Sequence, residues 1–493
     1  MTASIAETHA KPAPDAIRAE LLAEFGPKTV LSDPADMQRY CRDWHGDVEG
    51  SALAVLRPAD TDEVSRLVRA CAAAGLAIVP QGGNTGLVLG GLPTDAAGHV
   101  VLTLERMNRI RTIAADDFSA VVDAGCILAA INATLAEQDL LFPLSLAAEG
   151  SCQIGGNIAT NAGGINVLRY GMTREMILGL EVVLPDGTIW NGLSTLRKNN
   201  SGVDLKQLFI GAEGSLGIIT GAALRLVPKP TRSETAFLAL RSLDDVMALY
   251  ALARRECCDL LSAFELVPPE GLTFAREADA AFVPPQIANA PAYALIDVAA
   301  TGPIDLRAMV EAFLETAMTR DLVIDGVLAA SERQAAGLWQ IREGMIEGQA
   351  LRGPHLRTDL SVSPSQVAGF ITESIEELGR KLPDCLPVAY GHVGDGNIHL
   401  NVIPPPGLER EARDAMLYEA KTILNAVVDR HGGGISAEHG IGRLKRGDFE
   451  ARRSPVHETL LRGLKQLLDP ADLMNPGCQL TSPRDGADVK SLG

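Results

Sequence analysis

The stretch PQGGNTGLVLGGLP, residues 80–93, comes directly after the apolar run LAIV and holds five glycines among fourteen positions. Glycines let a backbone turn tightly and aim several N–H groups at one point, an arrangement that binds phosphate. The stretch lacks the GK[ST] ending of a Walker loop and the helix-opening GxGxxG spacing of a dinucleotide-binding turn. Alone, it is equally typical of an ordinary flexible loop.

Two more glycine-rich stretches follow, GSCQIGGNIATNAGG at 150–164 and GAEGSLGIIT at 211–220. Small residues dominate the second stretch, as expected where a flat ligand lies against the backbone. Tight turns alone do not account for three such stretches in one half of a chain. Together they favour a large ligand with a pyrophosphate and a planar ring.

The bulk composition excludes several classes of protein. A chain of 493 residues predicts two or three domains, and a net charge of −18 argues against nucleic-acid binding. The eight cysteines are scattered without a CxxC pair, which predicts reduced thiols rather than a disulfide framework. No signal-peptide pattern and no membrane-spanning apolar run is found, so we expect a cytoplasmic protein without a transmembrane segment.

Apolar periodicity predicts alternating helices and strands, an α/β or α+β pattern. Asp62 to Ala74 has helical spacing, with Gly75 as its stop, and ETLLRGLKQLLDP predicts an amphipathic helix near the end of the chain. LAIVP, VVLTLERM, SAVVDAG and AYALIDVAA are typical of strands. PKPT at 228–231 predicts a domain boundary.

The stretch AYGHVGDGNIHL, residues 389–400, predicts a β-hairpin with Asp395-Gly396 at the centre of a two-residue turn. In that register His392 and His399 are directly opposed, and Asn401 projects from the same face. Two imidazoles so placed can share one divalent metal ion. A hairpin needs no histidines, however, so the pattern leaves both interpretations open.

The stretch SAEHG, residues 436–440, places a carboxylate beside an imidazole. Glu438 and His439 could supply a metal ligand and a base within one turn. The same pattern is also common where a helix begins with an acidic first turn.

PQGGNTGLVLGGLP, GSCQIGGNIATNAGG and LKQLFIGAEGSLGIIT together resemble the FAD-binding domain of the vanillyl-alcohol oxidase and p-cresol methylhydroxylase (PCMH) superfamily. Residues 178–220 are most similar to its D-2-hydroxyacid dehydrogenase branch, in particular to D-2-hydroxyglutarate dehydrogenases. The resemblance runs from about Arg57 to Gly477. It implies an α+β fold with a split PCMH-type FAD-binding domain over 1–230, an inserted α/β cap or substrate domain over 231–434, and a C-terminal segment over 435–493 that completes the FAD site.

The resemblance also implies which residues hold FAD. Since the first loop lacks the histidine that some relatives use for covalent attachment, it implies non-covalent FAD. The implied cofactor-binding residues are Pro80, Gln81, Gly82, Gly83, Asn84, Thr85, Gly86 and Leu87 at the pyrophosphate; Ser145, Gly150, Ser151, Gly155, Gly156, Asn157, Thr160 and Gly164 beside the flavin and ribityl chain; Ile218 and Ile219 near the adenine; and Asn475 from the C-terminal segment.

For the metal, the resemblance implies His392, His399 and Glu438 as ligands and the adjacent His439 as general base. Two imidazoles and one carboxylate suit zinc, with manganese or iron as alternatives. His439 and Asn401 are also expected at the substrate.

The family holds the distal carboxylate of its substrate with an arginine, a hydroxyl residue four positions later and a lysine on the next strand. The first of these maps to Arg342. Here Ile346 replaces the hydroxyl and Arg357 replaces the lysine. We expect HLRTDLSVSP, which carries Arg357, to be a strand.

The implied reaction is oxidation of a D-2-hydroxy acid to the 2-oxo acid. Hydride passes from C2 to flavin N5, His439 takes the hydroxyl proton, and the metal stabilises the alkoxide. Two arginines could hold D-2-hydroxyglutarate, whereas Ile346 suits a smaller or more apolar acid such as D-lactate.

The expected electron acceptor is an electron-transfer flavoprotein or a quinone, and a homodimer is the candidate assembly. The alternatives are an oxidase that uses oxygen, a non-catalytic flavin-binding subunit, and a zinc hydrolase without flavin.

Overall fold

A computed structural model describes residues 13–484. Its first unit is a four-stranded sheet of order β1-β2-β4-β3, in which β2, β4 and β3 run parallel. The strands are β1 (Val30–Leu31), β2 (Ala54–Leu56), β3 (Ala77–Gln81) and β4 (His99–Thr103). Strand β3 runs into the first glycine-rich stretch, whose first two residues, Pro80 and Gln81, are the last two of the strand.

The second unit is a five-stranded antiparallel sheet of order β5-β6-β10-β8-β9, with the small pair β7 and β11 beside it. Its core is continuous with that of the first sheet. The strands are β5 (Ile110–Ala114), β6 (Ser119–Asp123), β7 (Leu140–Leu141), β8 (Ile177–Val183), β9 (Ile189–Gly192), β10 (Ile218–Arg225) and β11 (Val227–Pro228).

Seven helices accompany these sheets. They are α1 (Pro14–Phe25), α2 (Pro34–Met37), α3 (Thr61–Ala74), α4 (Leu128–Ala136), α5 (Ile154–Ala159), α6 (Val167–Tyr170) and α7 (Thr173–Met176). The helix predicted over 62–74 is confirmed as α3. The side chain of Asp60 accepts the Glu63 N–H at its start, and Gly75 ends it in the left-handed conformation at φ +67°.

A seven-stranded antiparallel sheet forms the second half of the chain, in the order β15-β12-β14-β13-β17-β18-β16. Apolar clusters pack on both of its faces. The strands are β12 (Arg232–Leu240), β13 (Leu261–Val267), β14 (Ala292–Ala300), β15 (Asp325–Leu328), β16 (Leu360–Ser361), β17 (Leu386–His392) and β18 (Asn397–Ile403). The helices are α8 (Leu243–Glu256), α9 (Gly271–Ala278), α10 (Leu306–Thr319), α11 (Glu332–Leu351), α12 (Val367–Lys381) and α13 (Arg410–Arg430).

The last segment returns to the first sheet. It carries α14 (Arg446–Arg452) and α15 (Pro455–Leu468), the helix predicted from ETLLRGLKQLLDP. Beyond α15 the chain pairs Met474 with Ile78 of β3 in a parallel bridge, and the Asn475 N–H bonds the Ile78 carbonyl at 2.8 Å. Short 3-10 helices cover Gln38–Tyr40, Leu205–Leu208, Cys258–Leu260 and Pro364–Gln366.

Two further observations bear on the expectations from composition. Within residues 13–484, no helix combines the length and the apolar character needed to cross a membrane. All eight cysteines lie in this described part, and each is a free thiol there.

Candidate active site

The hairpin of β17 and β18 brings the two predicted histidines together, but in another register than expected. Tyr390, not His392, is the partner of His399, because residues 393–396 form a four-residue turn. The predicted direct pairing is therefore wrong. The shift is by two residues, which keeps His392 on the same face of the sheet. The imidazole rings of His392 and His399 are diagonal neighbours with centroids 5.9 Å apart.

Hydrogen bonds fix the tautomers of both imidazoles. His392 donates its Nδ1–H to Glu265 Oε1 at 2.5 Å, and His399 donates its Nδ1–H to the Thr358 carbonyl at 3.1 Å. In the neutral form of each imidazole, the Nε2 lone pair is thereby left for a ligand. Those Nε2 atoms lie 3.9 and 3.8 Å from Glu438 Oε1. A carboxylate or carbonyl behind each histidine is the usual support of a metal-binding imidazole.

Glu265 is fully buried in β13 and also accepts the Nε–H of buried Arg342 at 3.0 Å. Burial opposes its ionisation, but the charges of His392 and Arg342 more than offset this and lower the pKa of the carboxyl to about 2. Burial also disfavours the imidazolium of His392, yet Glu265 and then Glu438 raise its pKa to about 9. In His399, burial and the nearby Arg342 charge lower the pKa to about 3.

One buried carboxylate holds the loop that carries Glu438 and His439. Asp359 Oδ2 accepts the backbone N–H groups of residues 437, 438 and 439 at 3.1, 3.1 and 2.9 Å. The same oxygen lies 3.6 Å from His439 Nδ1 and 3.5 Å from Lys445 Nζ. The stretch SAEHG is therefore a loop held by Asp359, which directly precedes β16, and the interpretation as a helix start is wrong.

Two overlapping sets of potential metal ligands occur here among the described residues, with ligand atoms within 4.8 Å of one another. One set is His392, His399 and Glu438, and the other is Asp359, His399 and His439. In the second set, Asp359 Oδ2 already accepts three backbone N–H groups. The first set offers free Nε2 atoms and a carboxylate, which is a donor set that fits a divalent cation.

The positions expected at the substrate differ in their surroundings. Arg342 is buried, with its guanidinium 4.7 Å from the centre of the Tyr390 ring. Ile346 is 47% exposed on the same helix, α11. Arg357 is exposed and precedes β16, so the expected strand over 355–364 shrinks to Leu360–Ser361. Its Nε lies 3.4 Å from His355 Nε2.

The Asn401 amide is engaged by neighbouring side chains. Its Nδ2 donates to Gln349 Oε1 at 3.0 Å and to the Tyr390 hydroxyl at 3.1 Å. Its Oδ1 accepts the Thr358 N–H at 3.0 Å. Asn401 lies on the predicted face, and these bonds give it a supporting role beside His399.

The first two glycine-rich stretches lie backbone against backbone. A Cβ on Gly83 would sit 2.1 Å from the Ser151 carbonyl oxygen, and one on Gly82 would sit 3.3 Å from the Gly156 Cα. Gly164, at φ +143°, approaches the Ser145 carbonyl equally closely. The second stretch contains α5, whose Gly156 faces Gly82 of the first stretch while Gly155 packs against Ala124.

The surface formed by the glycine-rich stretches, here called the glycine-rich bed, has features of a cofactor-binding site. Positions 86 and 150 have open space where a side chain would begin. The buried Gln153 Oε1 has no hydrogen-bond partner within the described part of the chain. A glycine-lined surface with an orphaned polar atom fits an elongated ligand with polar groups, such as FAD.

Several of the predicted FAD residues have side chains that contact other parts of the protein. Those of Gln81, Asn84, Thr160 and Asn475 bond neighbouring backbone carbonyls and so shape the loops. Ile218 and Ile219 are buried in the apolar core of β10. The remaining predicted FAD residues lie in the first two stretches or next to them, and their contact with FAD stays a prediction: Pro80, Gly82, Gly83, Thr85, Gly86, Leu87, Ser145, Gly150, Ser151, Gly155, Gly156, Asn157 and Gly164.

The C-terminal segment joins the first and third glycine-rich stretches. Asn475 Nδ2 donates to the carbonyls of Gly90 and Glu213 at 3.0 and 2.8 Å. The Glu213 carboxylate accepts the N–H groups of Ile441 and Gly442 at 2.8 and 2.7 Å. The loop with Glu438 and His439 is thus bonded to the glycine-rich bed only a few residues downstream.

Sequence reasoning missed three carboxylates that organise this site: Glu265, Asp359 and Glu213. A signal was present for Glu265, which is the lone charge in the apolar strand LSAFELV. Asp359 and Glu213 lie inside stretches quoted above, HLRTDLSVSP and GAEGSLGIIT. Their partners are distant in sequence, so no local pattern reveals their role.

Comparison with known families gives two domain matches that together cover most of the chain. Residues 52–192 match an FAD binding domain, and residues 229–478 match the C-terminal domain of FAD linked oxidases. The D-2-hydroxyglutarate dehydrogenase of Xanthomonas citri pv. viticola is 40% identical over 91% of this chain and 93% of its own length. The mitochondrial D-2-hydroxyglutarate dehydrogenase of Bos taurus is 38% identical, over 91% of this chain and 81% of its own.

Solved structures share the fold at low sequence identity. The 4-ethylphenol oxidase from Gulosibacter chungangensis superposes with a TM-score of 0.72 at 18% identity, covering 98% of this chain and 99% of its own. p-Cresol methylhydroxylase gives a TM-score of 0.72 at 15% identity, covering 96% and 98%. The predicted α+β architecture of the PCMH type is confirmed. The chain belongs to the FAD-linked oxidases, within the group of sequences that includes the D-2-hydroxyglutarate dehydrogenases, and it is an FAD-dependent oxidoreductase.

Proposed function

We propose that this chain oxidises a D-2-hydroxy acid to the 2-oxo acid, with FAD and a divalent cation as cofactors. The relatives named for a D-2-hydroxy acid support the reaction class. The observation that carries the proposal is the pair of imidazoles whose Nε2 atoms, freed by bonds to Glu265 and Thr358, lie within 3.9 Å of Glu438.

Each cofactor supplies what side chains cannot. FAD supplies a two-electron acceptor for the hydrogen that leaves C2. A divalent cation on His392, His399 and Glu438, zinc by donor type and manganese or iron as alternatives, supplies a Lewis acid that acidifies the substrate hydroxyl.

The chain's own residues handle the proton and the carboxylates. His439 is the proposed base, and Asp359, 3.6 Å from its Nδ1, stabilises the imidazolium that forms. Arg342 keeps its guanidinium buried through Glu265 and offers its other N–H groups to a substrate carboxylate. Arg357, exposed beside His355, is the second proposed anion contact.

Ile346 is the proposed specificity position. It lies four residues after Arg342 on α11 and is half exposed, so it can contact a bound acid. An isoleucine there offers no hydrogen bond and favours an apolar tail, so we propose D-lactate or a branched analogue ahead of D-2-hydroxyglutarate. We further propose that electrons leave to an electron-transfer flavoprotein or a quinone, and that the protein acts in the cytoplasm.

The test is anaerobic bleaching of the flavin absorbance by D- and L-lactate and by D- and L-2-hydroxyglutarate. We expect one D-acid to bleach rapidly, no L-acid to do so, and prior chelation to abolish bleaching until Zn²⁺ or Mn²⁺ is restored. His439→Gln should retain flavin and metal but bleach at least about 100-fold more slowly.

Other outcomes would support the alternatives. A yellow protein that no hydroxy acid bleaches would be a flavin-binding subunit, and reoxidation by oxygen as fast as by a dye acceptor would indicate an oxidase. Bleaching that is insensitive to chelation would contradict the metal while leaving the flavin chemistry intact. A colourless protein would favour a zinc hydrolase.

A further inference from the structure

Lys445 is a buried lysine that the proposed chemistry does not use. Its side chain is 15% exposed, and its Nζ donates to the Ile435 carbonyl at 3.0 Å and to the Ser436 hydroxyl at 3.2 Å. Asp359 Oδ2 lies 3.5 Å from the same nitrogen. An ammonium has three N–H donors, so Lys445 has one oxygen within reach of each. All three oxygens belong either to the start of the loop 435–442 or to the carboxylate that holds this loop.

Two carboxylates bond the loop 435–442 along most of its length. Asp359 accepts the N–H groups of residues 437–439, and Glu213 accepts those of residues 441 and 442. Both carboxylates are buried. Since a buried carboxylate is costly without a charged partner, a loop held by two of them needs a cation nearby.

Lys445 supplies that cation. Burial lowers the pKa of its ammonium, and the charge of Asp359 and then that of Glu213 oppose the shift. His439 Nδ1, 3.6 Å from Asp359 Oδ2, adds a positive charge only when the imidazole is protonated. Asp359 Oδ1 is buried and has no hydrogen-bond partner within residues 13–484. The contacts that stabilise this carboxylate therefore converge on Oδ2, the oxygen beside Lys445.

We propose that Lys445 is the positioning residue of the loop 435–442. It joins the start of the loop to Asp359, so the backbone that carries Glu438 and His439 is held on its carbonyl side as well as on its N–H side. Lys445 thus acts on the proposed ligand and base through the backbone. The order of the loop follows from these bonds alone, whereas an effect on metal binding and proton transfer rests on the proposed function.

The test is hydrogen–deuterium exchange of the flavin-loaded protein, followed in the peptide that contains residues 437–439. Lys445→Met keeps the length of the side chain and removes its charge and its donors. The Ile435 carbonyl and the Ser436 hydroxyl then lose a partner, and Asp359 loses its cation. Exchange of the three amides should therefore become at least about tenfold faster, because their acceptor is no longer fixed.

Lys465→Met is the matched control. The Lys465 side chain is also 15% exposed, and its Nζ donates to the carbonyls of Ser215 and Met474 at 3.0 and 2.7 Å and to Asp469 Oδ2 at 2.6 Å. It is a buried lysine of the same kind that holds another segment of the chain. Lys465→Met should destabilise the protein to a similar extent but leave the exchange of residues 437–439 within about twofold of the parent.

Two further readouts separate positioning from a general loss of structure. Lys445→Arg keeps the charge and the donors, so it should return the exchange to within about threefold of the parent. Zn²⁺ affinity is measured by competition with a chromophoric chelator. It should fall about tenfold in Lys445→Met and stay unchanged in Lys465→Met, because Glu438 is displaced in the first variant alone.

The outcomes distinguish the role of Lys445 from the proposed function. A parent that binds no Zn²⁺ and is bleached by no D-2-hydroxy acid would contradict the function, while the exchange rates would still decide the role of Lys445. Exchange in Lys445→Met that equals that of the parent or of Lys465→Met would overturn the proposal. Exchange in Lys445→Arg as fast as in Lys445→Met would also overturn it, since the charge and the donors would then not be what holds the loop.

Discussion

Replacing Glu265 by glutamine tests whether this buried carboxylate sets up the proposed metal site. Glu265 uses one oxygen for His392 Nδ1–H and the other for Arg342 Nε–H. Glutamine has the same shape but only one acceptor oxygen and no charge. Glu265→Gln therefore leaves either the His392 N–H or the Arg342 guanidinium without its acceptor.

Two magnitudes follow. Leaving a buried charge without its partner costs about 3–5 kcal/mol, so the free energy of unfolding should fall by roughly that amount. Loss of the group that orients a metal-binding imidazole weakens metal affinity about 10–100-fold. Zn²⁺ affinity is measured by competition with a chromophoric chelator, and stability is measured by urea unfolding of the metal-free protein.

Glu181→Gln is the matched control. Glu181 is a buried carboxylate that accepts the Arg111 Nη2–H at 2.8 Å, but it lies in the first half of the chain, on β8. It should lose stability and keep its Zn²⁺ affinity. If Glu265→Gln and Glu181→Gln lost stability alike and Zn²⁺ affinity stayed within about twofold of the parent in both, Glu265 would be a structural residue only.

Three other measurements address separate parts of the site. Ile346→Thr adds a hydroxyl on the same helix as Arg342. In steady-state assays with a dye acceptor, the ratio of kcat/KM for D-2-hydroxyglutarate to that for D-lactate should therefore rise about tenfold. An unchanged ratio would place Ile346 outside the substrate pocket. Because the pKa of His392 is about 9 without metal, Zn²⁺ must displace a proton from this imidazole in order to bind. The affinity of the protein for Zn²⁺ should therefore increase about tenfold per pH unit from 7 to 8.5 and level off above 9. An affinity that does not change with pH would contradict the assignment of His392 as a ligand. Gly83→Ala should lower the FAD content of the purified protein, since the added Cβ would lie 2.1 Å from the Ser151 carbonyl oxygen. Gly447→Ala is the control, because an added Cβ there has no atom within 4 Å. Equal FAD content in the two variants would show that the first two stretches tolerate separation.

The sequence predicts most clearly what local chemistry controls. Helix α3 follows from its periodicity, its Asp60 cap and its Gly75 stop, all within one segment. Helix α15 and the hairpin of β17 and β18 follow for the same reason. The pairing of His392 with His399 survives a wrong register because strand faces repeat every two residues, so a shift of two positions preserves the face.

The sequence could not predict features that depend on distant partners. Glu265 lies 127 positions from His392, and a lone carboxylate in an apolar strand does not indicate which imidazole it will meet. Asp359 has the same difficulty, since the loop it clamps lies 78 to 80 positions away. The strand expected around Arg357 is mostly irregular, because the Thr358 hydroxyl, rather than its backbone, forms the hydrogen bonds with the N–H and carbonyl of Leu400.

The bonds of Glu213 have a thermodynamic consequence. Its carboxylate, in the third glycine-rich stretch, holds the N–H groups of Ile441 and Gly442, while the Val88 carbonyl of the first stretch accepts those of Arg443 and Leu444. A displacement of the loop with Glu438 and His439 therefore also strains the first and third stretches, because these hydrogen bonds join them. Coupling of this kind is reciprocal: any factor that a bound flavin added to the affinity of the proposed metal site, a cation at that site would add to the affinity for flavin.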